Sequence, residues 1–137
     1  MNKAINLKQG LGDILFGYTI EQTMNIIGKP DEVEEIGSDV DCPTELLHYN
    51  KLGFSLFFSM EDEKLDCIDI VSKDVTLFGE KIMNKQSKDI TNLMIKNDIV
   101  NQTMENEAWG EKRISFPDYS IDFFFVNDKL GSITIGR

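Results

Sequence analysis

Apolar and polar residues alternate in several stretches of this chain, and the alternation recurs. In Phe54-Ser55-Leu56-Phe57-Phe58-Ser59, residues Phe54, Leu56 and Phe58 share one side, while Ser55, Phe57 and Ser59 share the other. A period of two is the mark of a half-buried strand. Shifted by 67 residues, the stretch from Leu47 to Phe58 falls on Ile114 to Phe125, with apolar positions coinciding at Leu47/Ile114, Tyr49/Phe116, Phe54/Ile121, Leu56/Phe123, Phe57/Phe124 and Phe58/Phe125. The match resumes at an offset of 65, where Lys64–Ile70 falls on Lys129–Ile135. Losing two residues in a hairpin loop preserves strand parity, so inward residues remain inward.

Upstream of each strand run lies a helix signal. Thr19 and Ser87 are good N-caps, and Thr19-Ile20-Glu21-Gln22 reads as a capping box. Gly28 and Pro30 predict the end of the first helix, and Asn97 is the weaker counterpart in the second. The spacing predicts helices over 20–27 and 88–96. Strands are predicted near 32–36, 45–50, 53–60 and 65–71, then near 99–104, 112–116, 119–126 and 130–136. The expected fold is α+β: two tandem helix-plus-antiparallel-strand repeats forming a sheet, with helices packed on one face. Residues 1–137 form a single domain, with repeats at about 12–71 and 80–137 and a linker at 72–79. A unit of roughly 60 residues is marginal alone, so the halves are expected to share a core.

The richer apolar set, including Tyr49, Phe54, Leu56, Phe58, Phe116, Ile121, Phe123 and Phe125, is expected to face the helices. The opposite face then carries His48, Phe57, Cys67 and Asp69 from one half, and Arg113, Asp122 and Phe124 from the other. Polar residues around a few aromatics suit a protein-binding surface, although the simpler expectation for Phe57 and Phe124 is packing under a loop such as 37–44 or 105–111. Trp109, in a polar stretch, is either an interface anchor or a loop aromatic folded over the core edge.

Composition narrows the function classes. The apolar fraction is 41% with nine Phe, enough for a core. The formal charge of −10 argues against nucleic acid or an anionic membrane as partner and points to a basic protein if the partner is charged. The acidity is confined to residues 1–71, with 14 Asp/Glu against 5 Lys/Arg; residues 72–137 hold 10 against 9. No apolar run reaches the roughly 18 residues a membrane helix needs. With Cys42 and Cys67 read as free thiols and no signal-peptide pattern, the expected location is the cytoplasm.

Gly12-Asp13-Ile14-Leu15-Phe16-Gly17-Tyr18-Thr19, a short helix and Ile26-Ile27-Gly28-Lys29-Pro30-Asp31 together resemble the unit of SmpA/BamE-type outer-membrane lipoprotein domains and of the β-lactamase inhibitory protein, which has two such units in tandem. Lys85 and Lys96 stand where the second copy would carry the counterparts of Gly17 and Gly28, and a lipidated cysteine is absent. The resemblance implies helices on one side of an antiparallel sheet, protein binding and no enzyme activity.

Catalytic and metal motifs are lacking. His48, the single histidine, could activate a nucleophile only with Cys42 or Cys67 beside it. The histidine and the two cysteines do not make a zinc set. Asp39-Val40-Asp41 and Glu61-Asp62-Glu63 lack a calcium loop. The expectation is a cofactor-free, non-enzymatic protein-binding domain of inhibitor or immunity type, with the oligomeric state open and a monomer favoured over a dimer paired through its sheet. It would recognise a basic partner through the open sheet face at His48, Phe57, Asp69, Trp109, Arg113, Asp122 and Phe124. The alternative is a small-ligand binder or cryptic enzyme with a cleft between the repeats.

Overall fold

The computed structural model describes residues 1–37, 43–106 and 110–137. Its main feature is an eight-stranded antiparallel sheet. One half comprises β4 (Glu32–Ile36), β5 (Thr44–Tyr49), β6 (Phe54–Ser59) and β7 (Lys64–Ile70). The other comprises β10 (Thr103–Asn106), β11 (Glu111–Phe116), β12 (Ile121–Val126) and β13 (Lys129–Gly136). The order across the sheet is β10-β11-β12-β13-β7-β6-β5-β4, so the last strands of the two halves meet at the centre.

A second sheet, of five short strands, was not anticipated. It is built from β1 (Ala4–Asn6), β2 (Gly10–Leu11), β3 (Ile14–Leu15), β8 (Thr76–Leu77) and β9 (Glu80–Lys81), in the order β3-β2-β1-β8-β9. The presumed linker at 72–79 thus supplies a strand that pairs parallel to β1.

These features correct the α+β expectation of helix-plus-strand repeats. The described residues are mostly β, with 47% of them in strand. Helix α1 (Ile20–Ile27) has 8 residues and α2 (Ser87–Lys96) has 10. Such helices are too short to be stable by propensity and are held by packing. The strands of the small sheet, two or three residues long, show no readable alternation.

Local chemistry explains the helix ends. Thr19 and Gln22 close a reciprocal capping box, and the Gly28 N–H donates to the Met24 carbonyl at 2.8 Å. At α2 the N-cap is Gln86 rather than Ser87. The Ser87 hydroxyl is drawn away by the Asp128 carboxylate at 2.5 Å. Past the end of α2 the left-handed residue is Asp98, with φ 64°, whereas the Asn97 side-chain amide donates to the Leu93 carbonyl at 2.9 Å.

One hydrophobic cluster joins the parts. Leu47, Leu56, Phe58, Ile68, Phe116, Phe123 and Ile133 from the large sheet are fully buried in it. So are Ile90 and Met94 from α2, and Leu11 and Ile14 from the small sheet. Burying such side chains is worth about 1.5–3 kcal/mol each before entropy is counted. All of these side chains lie on one face of the large sheet.

Candidate functional site: the outer face of the large sheet

Strand register assembles the outer face from residues far apart in sequence. Successive cross-strand partners give a single row across all eight strands: Glu32, His48, Ser55, Asp69, Thr134, Asp122, Ser115 and Thr103. Every member is polar. Neighbouring strands lie about 4.8 Å apart, so adjacent side chains can hydrogen-bond along the row. The Thr134 hydroxyl donates to Asp69 Oδ1 at 2.7 Å across the central β7–β13 junction. His48 Nδ1 lies 2.7 Å from Ser55 Oγ, and His48 Nε2 lies 3.0 Å from Glu34 Oε1. In a neutral imidazole the Nε2 proton goes to the carboxylate, and Nδ1 accepts the Ser55 hydroxyl proton.

The aromatics stand on opposite sides of this row. Phe57 pairs with Leu46 and Cys67 in one half, and Phe124 pairs with Arg113 and Ser132 in the other. Both are half-buried, and each precedes a register shift, at Phe57/Phe58 and Phe124/Phe125. A bulge adds an unpaired residue to the facing strand and re-aims its neighbours. Beside Phe124 is a cavity of about 370 Å³, lined also by Glu111, Lys112, Val126, Gly131 and Ser132.

The expected site residues are therefore divided. His48, Asp69 and Asp122 share the polar row, Phe57 flanks it on one side, and Arg113 and Phe124 flank it on the other. Arg113 Nη2 is bound to Glu105 Oε2 at 2.7 Å. Trp109 and Cys42 lie outside the described residues. Glu34, Ser55 and Thr134 were not expected as site residues. Their parity was readable, but their bonding depends on register.

Glu34, His48 and Ser55 stand in the order acid, base, hydroxyl. Ser55 is on β6, which is paired on both sides by β5 and β7. Its neighbouring backbone amides serve the sheet ladder and are not aimed at a developing oxyanion. His48 is committed to Ser55 and Glu34, two strands and one row away from Cys67. Among the described residues no group of three or more His, Cys, Asp or Glu could hold a metal ion.

Burial pushes the Cys67 thiol up to about 12, reinforced by the carboxylates of Asp69, Asp122 and Asp66. The thiolate is the reactive form. In a Cys42→Ser background, native Cys67 is therefore expected to react with iodoacetamide at pH 8 at least about 100-fold more slowly than in urea-unfolded protein. Equal rates, followed by mass spectrometry, would show that the thiol is neither shielded nor perturbed.

No family model matches this sequence, and no curated protein sequence matches it. Two solved structures are similar in fold. One is an extracellular protein containing a SCP domain from Bacillus anthracis str. Ames, with a TM-score of 0.54 and 13% identity over 95% of this chain and 49% of that one. The other is a cysteine-rich secretory protein from Staphylococcus aureus subsp. aureus Mu50, with a TM-score of 0.51 and 17% identity over 97% of this chain and 47% of that one. The chain thus spans about half the length of each, and at these identities the likeness shows the fold.

These matches overturn the resemblance to SmpA/BamE-type domains and the β-lactamase inhibitory protein, which rested on about a dozen residues around Gly12–Thr19 and Ile26–Asp31. Short glycine turns and capped helices recur in many folds, so they discriminate poorly. The cytoplasmic expectation is withdrawn as well. The two similar proteins are described as extracellular and secretory, and two cysteines are too few to reveal a compartment. No helix among the described residues is long and apolar enough to cross a membrane.

Proposed function

We propose that this chain is a non-enzymatic protein-recognition domain that engages a basic partner through the outer face of its eight-stranded sheet. The observation that carries this reading is the uninterrupted polar row from Glu32 to Thr103, flanked by Phe57 and Phe124. Two pairs in the row, His48 with Ser55 and Thr134 with Asp69, are hydrogen-bonded, and side chains held in this way lose less entropy on docking. Half-buried aromatics such as Phe57 and Phe124 beside them are a residue type enriched at interfaces. The charge of −10 favours a cationic partner and fast, salt-sensitive association. Neutralising that partner, as an inhibitor or immunity-type protein does, is the form of action this reading favours. The descriptions of the two similar proteins favour an extracellular setting for it.

The test is affinity capture from the native host with the wild type and with Phe57→Ala and Phe124→Ala variants, each shown to be folded by circular dichroism. A specific partner is expected, held about 30-fold more weakly by each variant and released by salt. Identical capture by wild type and variants, or capture insensitive to salt, would remove the outer face from consideration.

A further inference from the structure

Where the polar row ends at Glu32, the structure exposes a sheet edge with chemistry of its own. Strand β4 is the edge of the large sheet, and all five of its residues are exposed. An edge strand directs alternate N–H and C=O groups outward, ready to pair with another strand. Its side chains divide by face. Glu32, Glu34 and Ile36 lie on the outer side, and Val33 and Glu35 lie on the core side, where Glu35 stands directly opposite Glu45. Val33 is 52% exposed and Ile36 47%.

We propose that β4 accepts an extended basic segment of a partner protein by strand addition, with lysine or arginine opposite the glutamates and apolar residues opposite Val33 and Ile36. Charge complementarity selects this occupant. Glu35 and Glu45 are register partners, and like charges directly opposite each other are unfavourable, which a cation beside them relieves. A second copy of the chain would bring three more glutamates against the same strand, so self-pairing is disfavoured. On β4, Glu34 already meets His48 Nε2 at 3.0 Å, which leaves Glu32 and Glu35 for an incoming cation; at the opposite edge, β10, the one acidic residue, Glu105, is bound by Arg113 at 2.7 Å. For an antiparallel incoming strand the matching sequence, read from its N-terminus, is Val-Lys-Lys-Val-Lys.

The experiment uses synthetic peptides with the whole chain. The probes are one containing Val-Lys-Lys-Val-Lys, its Val-Glu-Glu-Val-Glu counterpart, and a lysine peptide N-methylated at alternate backbone amides, which keeps charge but cannot extend a sheet. The lysine peptide is expected to slow hydrogen exchange of β4 amides about tenfold or more. Glu32→Lys with Glu35→Lys is expected to weaken its binding at least about tenfold. The proposal is overturned if the N-methylated or the glutamate peptide binds as well as the parent, or if β4 exchange does not change. It is also overturned if sedimentation shows a dimer whose β4 amides are protected without peptide. The Phe57→Ala, Phe124→Ala double variant should bind the lysine peptide unchanged, so failure of this surface and failure of the sheet face are seen separately.

Discussion

Replacing Phe123 by Ala is expected to lower the unfolding free energy by about 3–5 kcal/mol, a large fraction of the stability of a domain this size. Phe123 is fully buried on β12, paired with Ile114 and Ile133, and its ring meets that of Phe116 edge to face at 5.9 Å. Truncation removes the transfer energy of the ring, leaves a cavity in the buried core and loses the edge-to-face contact. The adjacent Phe124 has the same chemistry on the other face and is only half-buried. Phe124→Ala is expected to cost about 1–2 kcal/mol at most. Urea unfolding checks both: the midpoint should fall steeply for Phe123→Ala and slightly for Phe124→Ala, with the slope unchanged. Equal losses would mean that the face assignment of β12 is wrong.

Gly53→Ala is expected to cost about 2–4 kcal/mol, from a backbone penalty and a steric one together. Gly53 has φ 81°, where a side chain is strained, and an added Cβ would stand 2.8 Å from both Cα and Cβ of Ser72. The close approach has a cause. The Gly53 carbonyl accepts the N–H groups of Val71 and Ser72, at 2.8 and 3.0 Å, as the chain leaves β7. Ser72 cannot retreat easily, because its hydroxyl is bonded to Asp74 and receives Lys3 Nζ at 2.9 Å, which ties the N-terminal segment to this turn. Gly79, with φ 79° and no atom within 4 Å of its would-be Cβ, is the control and carries the backbone penalty alone. Calorimetric melting should rank wild type, Gly79→Ala and Gly53→Ala in falling order of Tm. A Gly53→Ala protein melting with the Gly79→Ala variant would show that the Ser72 contact yields at no cost.

Much of the large sheet is readable from local pattern. The strict alternation of Phe54, Leu56 and Phe58 against Ser55, Phe57 and Ser59 sorts the two faces correctly, because burial on one side and water on the other impose a period of two. The α1 boundaries follow from Thr19, Gln22 and Gly28, whose capping bonds span only a few residues. The predicted strand near 99–104 is displaced to Thr103–Asn106, in an exposed edge whose residues have little burial to set their limits. The small sheet escaped notice because Ala4–Asn6 and Thr76–Leu77 are meaningless as strands until residues some 70 positions apart come together.

Local chemistry along the chain thus established which side chains are greasy, which alternate, where the longer strands run and how α1 is capped, since each of these is decided within one turn or one strand. The pairing of β7 with β13 belongs to the folded molecule. That contact joins distant segments through backbone bonds that carry no sequence signature, and it turns scattered polar residues into one row. It also decides that β4, with its glutamates, ends at an open edge and not inside the sheet.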